Sequence, residues 1–500
     1  MNKETAGRPP NNILYASLYI QGINPRAAGK ILPVMLLFTL FELENKFGCT
    51  CDLMRRPMRL GGRVENAAEL IYIDSLVSSE AAGRLIIDPL GDPLRTAGDY
   101  SPEAVMASLC GLNAEVCEDI ESAEKKLLSG FALVYLPSAG AAVAAELRSP
   151  DKRAVADPKD EKVLKGSREA FTECLQTNCA LLRRRVKTSD LRLRAFSVGS
   201  RAECTLIVVW IEGFTPEKLV DEMVKRVENL RVEGIITSSV IEECLADSPL
   251  SPLPQLIVTE RADKFCLNLL EGRVGLLADT LPLGYLAPAS LPQLMKAPED
   301  EAAHFAATSL MTLFRYFALF LSLTLPAIYL ALALYHQSLI PLRILQSMIE
   351  AELEVPFPTA AEVLIMLVAV DLLEEAGLRM PGPIGPTVSI IGALIIGQSA
   401  VEAKIVSPII VVTVALASTA QYALPNRDLQ LAVKLGRLGL VAFSAFFGLY
   451  GLGAGLALIA AHLIMLRSFG KSYISPLARY PARALLRLPM TVKRKEDPTV

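Results

Sequence analysis

Asp371, Glu374 and Glu375 stand at i, i+3 and i+4, on one face of a helix, inside an otherwise apolar stretch. Arg379 follows Glu375 by four residues, and a second polar group, Gln398, Glu402 and Lys404, interrupts the next apolar run. Carboxylates arranged around a pore mouth select for cations, so these side chains are candidates for an ion path. The same residue types also make ordinary pairs: Glu375 with Arg379, and Glu402 with Lys404 or with a helix end. Spacing alone leaves both readings open. Ser389, Ala393 and Gly397 recur every four residues, and Gly451 and Gly455 form a GxxxG; both stripes let helices approach closely, within one chain or between copies.

Other chemistry has little to work with. The 3 histidines are His304, His336 and His462, all at or near apolar segments, and no HExxH, nucleophile with a neighbouring base or metal-ligand spacing accompanies them. Cys49 and Cys51 form a CxC with no CxxC or histidine set, so the 9 cysteines are expected to be reduced thiols. Gly61-Gly62 and Gly451-Gly453 lack the spacing of nucleotide-binding loops. Glu242 and Glu243 read as solvated helix positions. The expectation is no catalytic residue, no cofactor and no metal, hence not an enzyme. A net charge of −3 argues against nucleic acid as a partner.

The elements that must hold these residues are membrane helices. Segments 316–335, 387–403, 406–424 and 438–466 are almost free of charge, and about 20 apolar residues cross the bilayer core. Pro326 interrupts the first, a substitution that neighbouring helices or water accommodate. Segment 438–466, about 29 residues and roughly 43 Å as a helix, reads as one tilted span or two short ones hinged at Gly451 and Gly453. Segment 362–378 is different: Glu362 lies nearly opposite Asp371, Glu374 and Glu375, which suits an amphipathic helix facing a bundle or the membrane interface. Four full spans plus this acidic helix are expected, with six as the alternative. Arg467, Lys471, Arg479, Arg483, Arg487, Lys493, Arg494 and Lys495 follow the last span and place the C-terminus inside. The start MNKETAGRPPNN does not read as a secretory leader, so the N-terminal region is also expected in the cytoplasm.

Upstream, apolar runs at 68–74, 132–137, 204–213, 254–261 and 273–279 read as strands alternating with helices, an α/β arrangement. A helix is expected over 166–186, its Arg183, Arg184 and Arg185 favouring the negative end of the dipole. Thr215 is expected to cap a helix with Pro216 at its first position. The fold class is thus an α/β soluble N-terminal region of two subdomains followed by an α-helical polytopic membrane domain. The expected divisions are a mostly helical extension at 1–50, with a buried helix at 31–41, subdomains at 51–195 and 196–300, a membrane domain at 305–470 and a basic tail at 471–500.

Several stretches resemble the A subunits of GerA-type spore germination receptors. They are LEEAGLRMPGPIGPTVSIIGALIIGQSAVEAKIVSP at 373–408, HQSLIP at 336–341, ALPN at 423–426 and LRSFGKSYISPLARY at 466–480. Upstream, GSREAFTECLQTNCALLRRRV, LIVTERADKF and LLEGRVGLLAD at 166–186, 256–265 and 269–279 join them, so the likeness runs over roughly 50–480. The family often carries a second acidic residue where this chain has Leu367, and a glycine in the loop here formed by Asp279, Thr280, Leu281 and Pro282. The resemblance implies an integral protein of the spore inner membrane. It also implies a transporter-like B subunit and a lipoprotein C subunit as partners, self-association into an oligomer, and a germinant-gated conduit for monovalent cations. A nonconducting scaffold fits the same sequence, whereas a secondary transporter lacks support because the apolar segments show no internal duplication.

Overall fold

The structure, a computed structural model, describes residues 40–379 and 395–475, interrupted at 49, 63–66, 93–99, 110, 118, 148–157, 159–160, 162 and 164, together with positions 392, 477 and 486. Residues 31–39 of the helix expected at 31–41 and most of the basic tail therefore lie outside the described residues. In chain order the elements used below are α1 (Leu40–Phe47), β1 (Leu53–Arg59), β2 (Ala67–Ile73), β3 (Ala114–Cys117), α2 (Ile120–Leu128), β4 (Phe131–Leu136) and β5 (Ala141–Glu146). They continue with α3 (Leu175–Arg185), β6 (Leu191–Val198), β7 (Cys204–Ile211), α4 (Glu217–Glu228), α5 (Ser238–Leu245), β8 (Ile257–Thr259), α6 (Ala262–Leu269), β9 (Val274–Ala278) and β10 (Gly284–Ala287). The helical region holds α7 (Phe305–Tyr335), α8 (Leu342–Leu353), α9 (Thr359–Arg379), α10 (Pro408–Tyr422) and α11 (Arg427–Met465).

The N-terminal region is α/β, with two antiparallel five-stranded sheets ordered β1-β2-β4-β5-β3 and β6-β7-β9-β10-β8. The second order repeats the first. Alternate residues of a strand point to opposite faces, and here both faces are covered. Leu70 and Tyr72 of β2 enter one core while Ile71 and Ile73 enter another. Likewise Ile207 and Val209 of β7 pack apart from Leu206 and Val208. That is why these strands read as continuous apolar runs.

Several expectations need correction. β6 spans Leu191–Val198 and pairs along its length with β7, so a division at 195/196 would cut a strand, and α3 before it already packs on the second sheet. α3 begins at Leu175 because the preceding residues are held extended: Phe171 N donates to Glu260 O and Thr172 N to Asn178 Oδ1. Pro216, not Thr215, caps α4, since the Thr215 hydroxyl accepts from Ile211 N and donates to Arg273 O. The arginine triplet is used in ion pairs. Buried Arg183 grips Asp52 beside β1, and Arg184 and Arg185 meet Glu169.

The C-terminal region is helical. α7 and α11 are each long and apolar enough to cross a membrane, but α11 is bent back on itself at Gly448 (φ 60°, ψ −139°). A Cβ on Gly451 would stand 2.1 Å from Phe443 O, and one on Gly455 2.6 Å from Leu440 Cδ2. Residues eight or more apart in one straight helix cannot meet this way, so arms 427–447 and 449–465 form an antiparallel hairpin. The turn is at Gly448, not Gly451 or Gly453, and the GxxxG stripe serves packing between the two arms. Tyr335, at the end of α7, braces the turn by donating to Ala445 O and Phe446 O at 2.8 and 3.1 Å.

Residues 466–473 return to the soluble region rather than starting a free tail. Ser468 Oγ donates to Gln255 O and accepts from Ala289 N, Leu291 N donates to Tyr473 O, and Tyr473 is fully buried. Leu424, Leu429, Val433 and Leu466 join the same core as Phe171 and Phe265 of the second sheet unit.

Candidate functional site

α9 carries its acidic residues toward α11. Asp371 and Glu374, one turn apart, face Lys434 and Arg437, also three residues apart, so two helical ridges of opposite charge meet. Lys434 Nζ lies 2.6 Å from Glu374 Oε2 and 3.2 Å from Asp371 Oδ1, and Arg437 Nη2 lies 3.4 Å from Asp371 Oδ1. Arg437 is 0% exposed. Such a set of two cations and two carboxylates is balanced in charge. The group sits beside an apolar core built by Ala327 and Leu330 of α7, Val363, Met366 and Leu367 of α9, Ile410 and Val414 of α10 and Leu440 of α11.

Glu375 points elsewhere and pairs with Arg379 four residues on, Nη2 to Oε1 at 2.7 Å, both exposed. Glu402 does not meet Lys404. It accepts from Gln398 Nε2 at 3.0 Å, while Lys404 Nζ reaches Glu354, just past α8, at 3.2 Å. Ser389 and Ala393 lie outside the described residues; Gly397 is buried, and a Cβ there would touch Val411 Cγ1 of α10 at 3.4 Å. Asp371 and Glu374 are therefore brought together, and the other candidates among the described residues are placed in separate contacts.

Two residues of this cluster, Lys434 and Arg437, and the role of a third nearby, Glu362, were not among the expected site positions. Lys434 and Arg437 stand just before the apolar run that begins at Leu438, and their i, i+3 spacing, matching Asp371 and Glu374, was the available signal. Glu362, buried, accepts from Ser407 N at 2.8 Å and so satisfies a backbone donor at the start of α10. Nothing local in the sequence links positions 45 residues apart.

Where the helices enter the soluble region, α5 of the second sheet unit meets the first turn of α11. Burial, reinforced by the negative charge of Asp428, pushes the Glu242 carboxyl up to about 7. Ser238 and Glu243 are its other neighbours, and it also faces the phenol of Tyr285. Glu242 is not the fully solvated residue its sequence suggests.

The family described as Bacillus/Clostridium GerA spore germination protein matches residues 42–499. Spore germination protein KA of Bacillus subtilis (strain 168) is 33% identical over 466 residues, 92% of this chain and 85% of that protein. Spore germination protein B1 of the same organism is 31% identical over 461 residues, covering 91% and 95%. An uncharacterised membrane protein of that organism, YfkQ, is 33% identical over 433 residues, covering 87% and 84%. Among solved structures, the N-terminal domain of the A subunit of the Bacillus megaterium spore germinant receptor GerK3 aligns with 25% identity over 52% of this chain and 97% of that one, at a TM-score of 0.41. This chain belongs to the GerA family of spore germination proteins.

Proposed function

We propose that this GerA-family chain acts in spore germination as the A subunit of a nutrient germinant receptor in the spore inner membrane. In this reading α7, α10 and both arms of α11 cross the bilayer, an even number of crossings, and the sheet units and residues 466–475 face the cytoplasm. Copies of the chain assemble, with a transporter-like B subunit and a lipoprotein C subunit, into a germinant-gated path for monovalent cations. The observation that carries the gating part is the continuity of one apolar core from Phe265 of α6 to Leu429 and Val433 of α11. A shift in the soluble region is thereby felt at Val433, the residue next to Lys434. Asp371 and Glu374 are engaged by cations in this conformation, which supports a closed arrangement in which they are withheld from passing ions; exchanging those pairs would free carboxylates for a cation path.

A nonconducting scaffold is the second reading, favoured by the fact that every acidic candidate described has a protein partner. Purified receptor complexes reconstituted in liposomes separate the two. Germinant-dependent cation flux that changes selectivity in Glu374→Gln supports the conduit, whereas flux that is absent, or untouched by substitutions throughout this chain's helices, supports the scaffold. Loss of nutrient germination on deleting this chain, restored by complementation, tests the germination role itself.

A further inference from the structure

Leu250 is completely exposed (101%) although the turn that carries it is firmly held. Ser251 N donates to Ser248 O at 3.0 Å, closing a β-turn with Pro249 and Leu250 at its corners. Buried Gln255 clasps Ser248 from both sides, Nε2 to Ser248 O at 2.6 Å and Oε1 from Ser248 N at 2.9 Å. Ser251 Oγ lies 2.8 Å from Nε2 of His462, three residues before the end of α11. The turn is thus both held in place and tipped with an apolar side chain beside the end of α11.

The depth of that partner is fixed by the hydrogen bond to His462. Around it Ile464 and Met465 are 67% and 79% exposed, the last apolar positions of the returning arm, and exposed Arg467 follows. A helix that leaves a bilayer through Ile464, Met465 and Arg467 brings its acyl–headgroup boundary to the level of His462, and the turn bonded to His462 sits at that same level. We infer that the 248–251 turn docks on the membrane surface, inserting Leu250 into the interfacial layer of the lipid beside the end of α11. The inference rests on the membrane reading given above. Its consequence is that the second sheet unit touches lipid directly as well as through its helices.

The test uses the full-length chain in vesicles of equal parts phosphatidylcholine and phosphatidylglycerol, with bromine carried on the lipid either near the headgroup or near the chain end. Trp210 is the 1 tryptophan, and is replaced in a Trp210→Phe background that receives Leu250→Trp; if that background fails to fold, Trp210 is kept and the parent spectrum subtracted. A parallel Leu458→Trp reports the exposed middle of the returning arm. The expected result is Leu250→Trp emission quenched about twofold by headgroup-side bromine and less by chain-end bromine, the pattern of an interfacial residue, with the opposite preference at Leu458→Trp. Quenching at Leu458→Trp without quenching at Leu250→Trp, including the case of a Leu250 site covered by a second copy, overturns the inference and leaves the membrane reading standing. Quenching at neither position overturns both.

Discussion

Asp52 and Arg183, which belong to different sheet units, face each other as a bidentate pair, with Nε to Oδ2 at 2.8 Å and Nη2 to Oδ1 at 2.9 Å. Thr50 Oγ1 accepts a further bond from Arg183 Nη2 and Thr188 O one from Nη1, so each guanidinium nitrogen has a protein partner. Its plane fixes the angle between the two units as well as their distance.

Removing one partner of this pair leaves the other buried and unpaired. Arg183→Ala is expected to cost about 3–5 kcal/mol, read as a lower thermal midpoint of the detergent-solubilised chain. Arg183→Lys keeps the charge but loses the fork and should recover only part of the loss. Equal midpoints for the lysine variant and the parent would show that the bidentate geometry is immaterial.

Between α9 and α11 the prediction concerns coupling. Lys434→Met strands Glu374 and leaves Asp371 with Arg437 alone, and should cost about 1–3 kcal/mol; adding Glu374→Gln should restore part of it, a coupling that a double-mutant cycle measures directly. If the cluster holds the closed arrangement, Lys434→Met spores also germinate or leak cations without nutrient. Additive costs, with germination still strictly nutrient-dependent, would remove the cluster from the gating scheme.

Gly448 and Gly451 answer different demands and should fail differently. Gly448→Ala places a side chain at a positive φ and 2.9 Å from Tyr335 Cδ2, a strain of about 1–3 kcal/mol. Gly451→Ala drives a methyl into the Phe443 carbonyl and must part the two arms, at a cost of about 1–3 kcal/mol. Tyr335→Phe, which loses the bonds to Ala445 and Phe446, should cost about 0.5–1.5 kcal/mol. Resistance to denaturing detergent ranks the three, and a Gly451→Ala protein as resistant as the parent would rule out the close hairpin.

Glu242 gives a pH dependence with a definite sign. Its folded-state value of about 7 lies above the ordinary carboxyl value of 4.5, so the folded chain holds a proton that the unfolded chain releases. The stability tied to that proton is present below 4.5 and is lost as pH rises through about 7. Thermal midpoints measured from pH 5 to 8 should fall toward the alkaline end in the parent and flatten in Glu242→Gln. A parent profile that rises over this window would reverse the assignment.

The legible parts of the fold were those whose burial is uniform. β2, β4, β7 and β9 are covered on both faces and so announced themselves as apolar runs, and α7 did so by sheer length. Sheet order was not legible, because antiparallel pairing between β5 and β3 or β10 and β8 depends on contacts that no local pattern records. Of the candidate site, the acidic half was visible as an i, i+3, i+4 face. Its basic half was overlooked because Lys434 and Arg437 border an apolar run and resemble a flank. Gly448 was passed over for Gly451 and Gly453, since several glycines in one stretch look alike until backbone angle and close approach distinguish their tasks.

The bend at Gly448 also determines where force can enter the helical region. By sending 449–465 back toward the sheets, it lets Ser468 and Tyr473 fasten the end of the bundle to the same unit from which α7 departs. First and last helices are thus moored to one rigid body, and a rotation of that body acts on them as a couple, opposite displacements at two attachment points. Under such torque the arms of the hairpin must slide or twist past each other, and the side chains opposite Gly451 and Gly455 are where that relative motion meets the most friction.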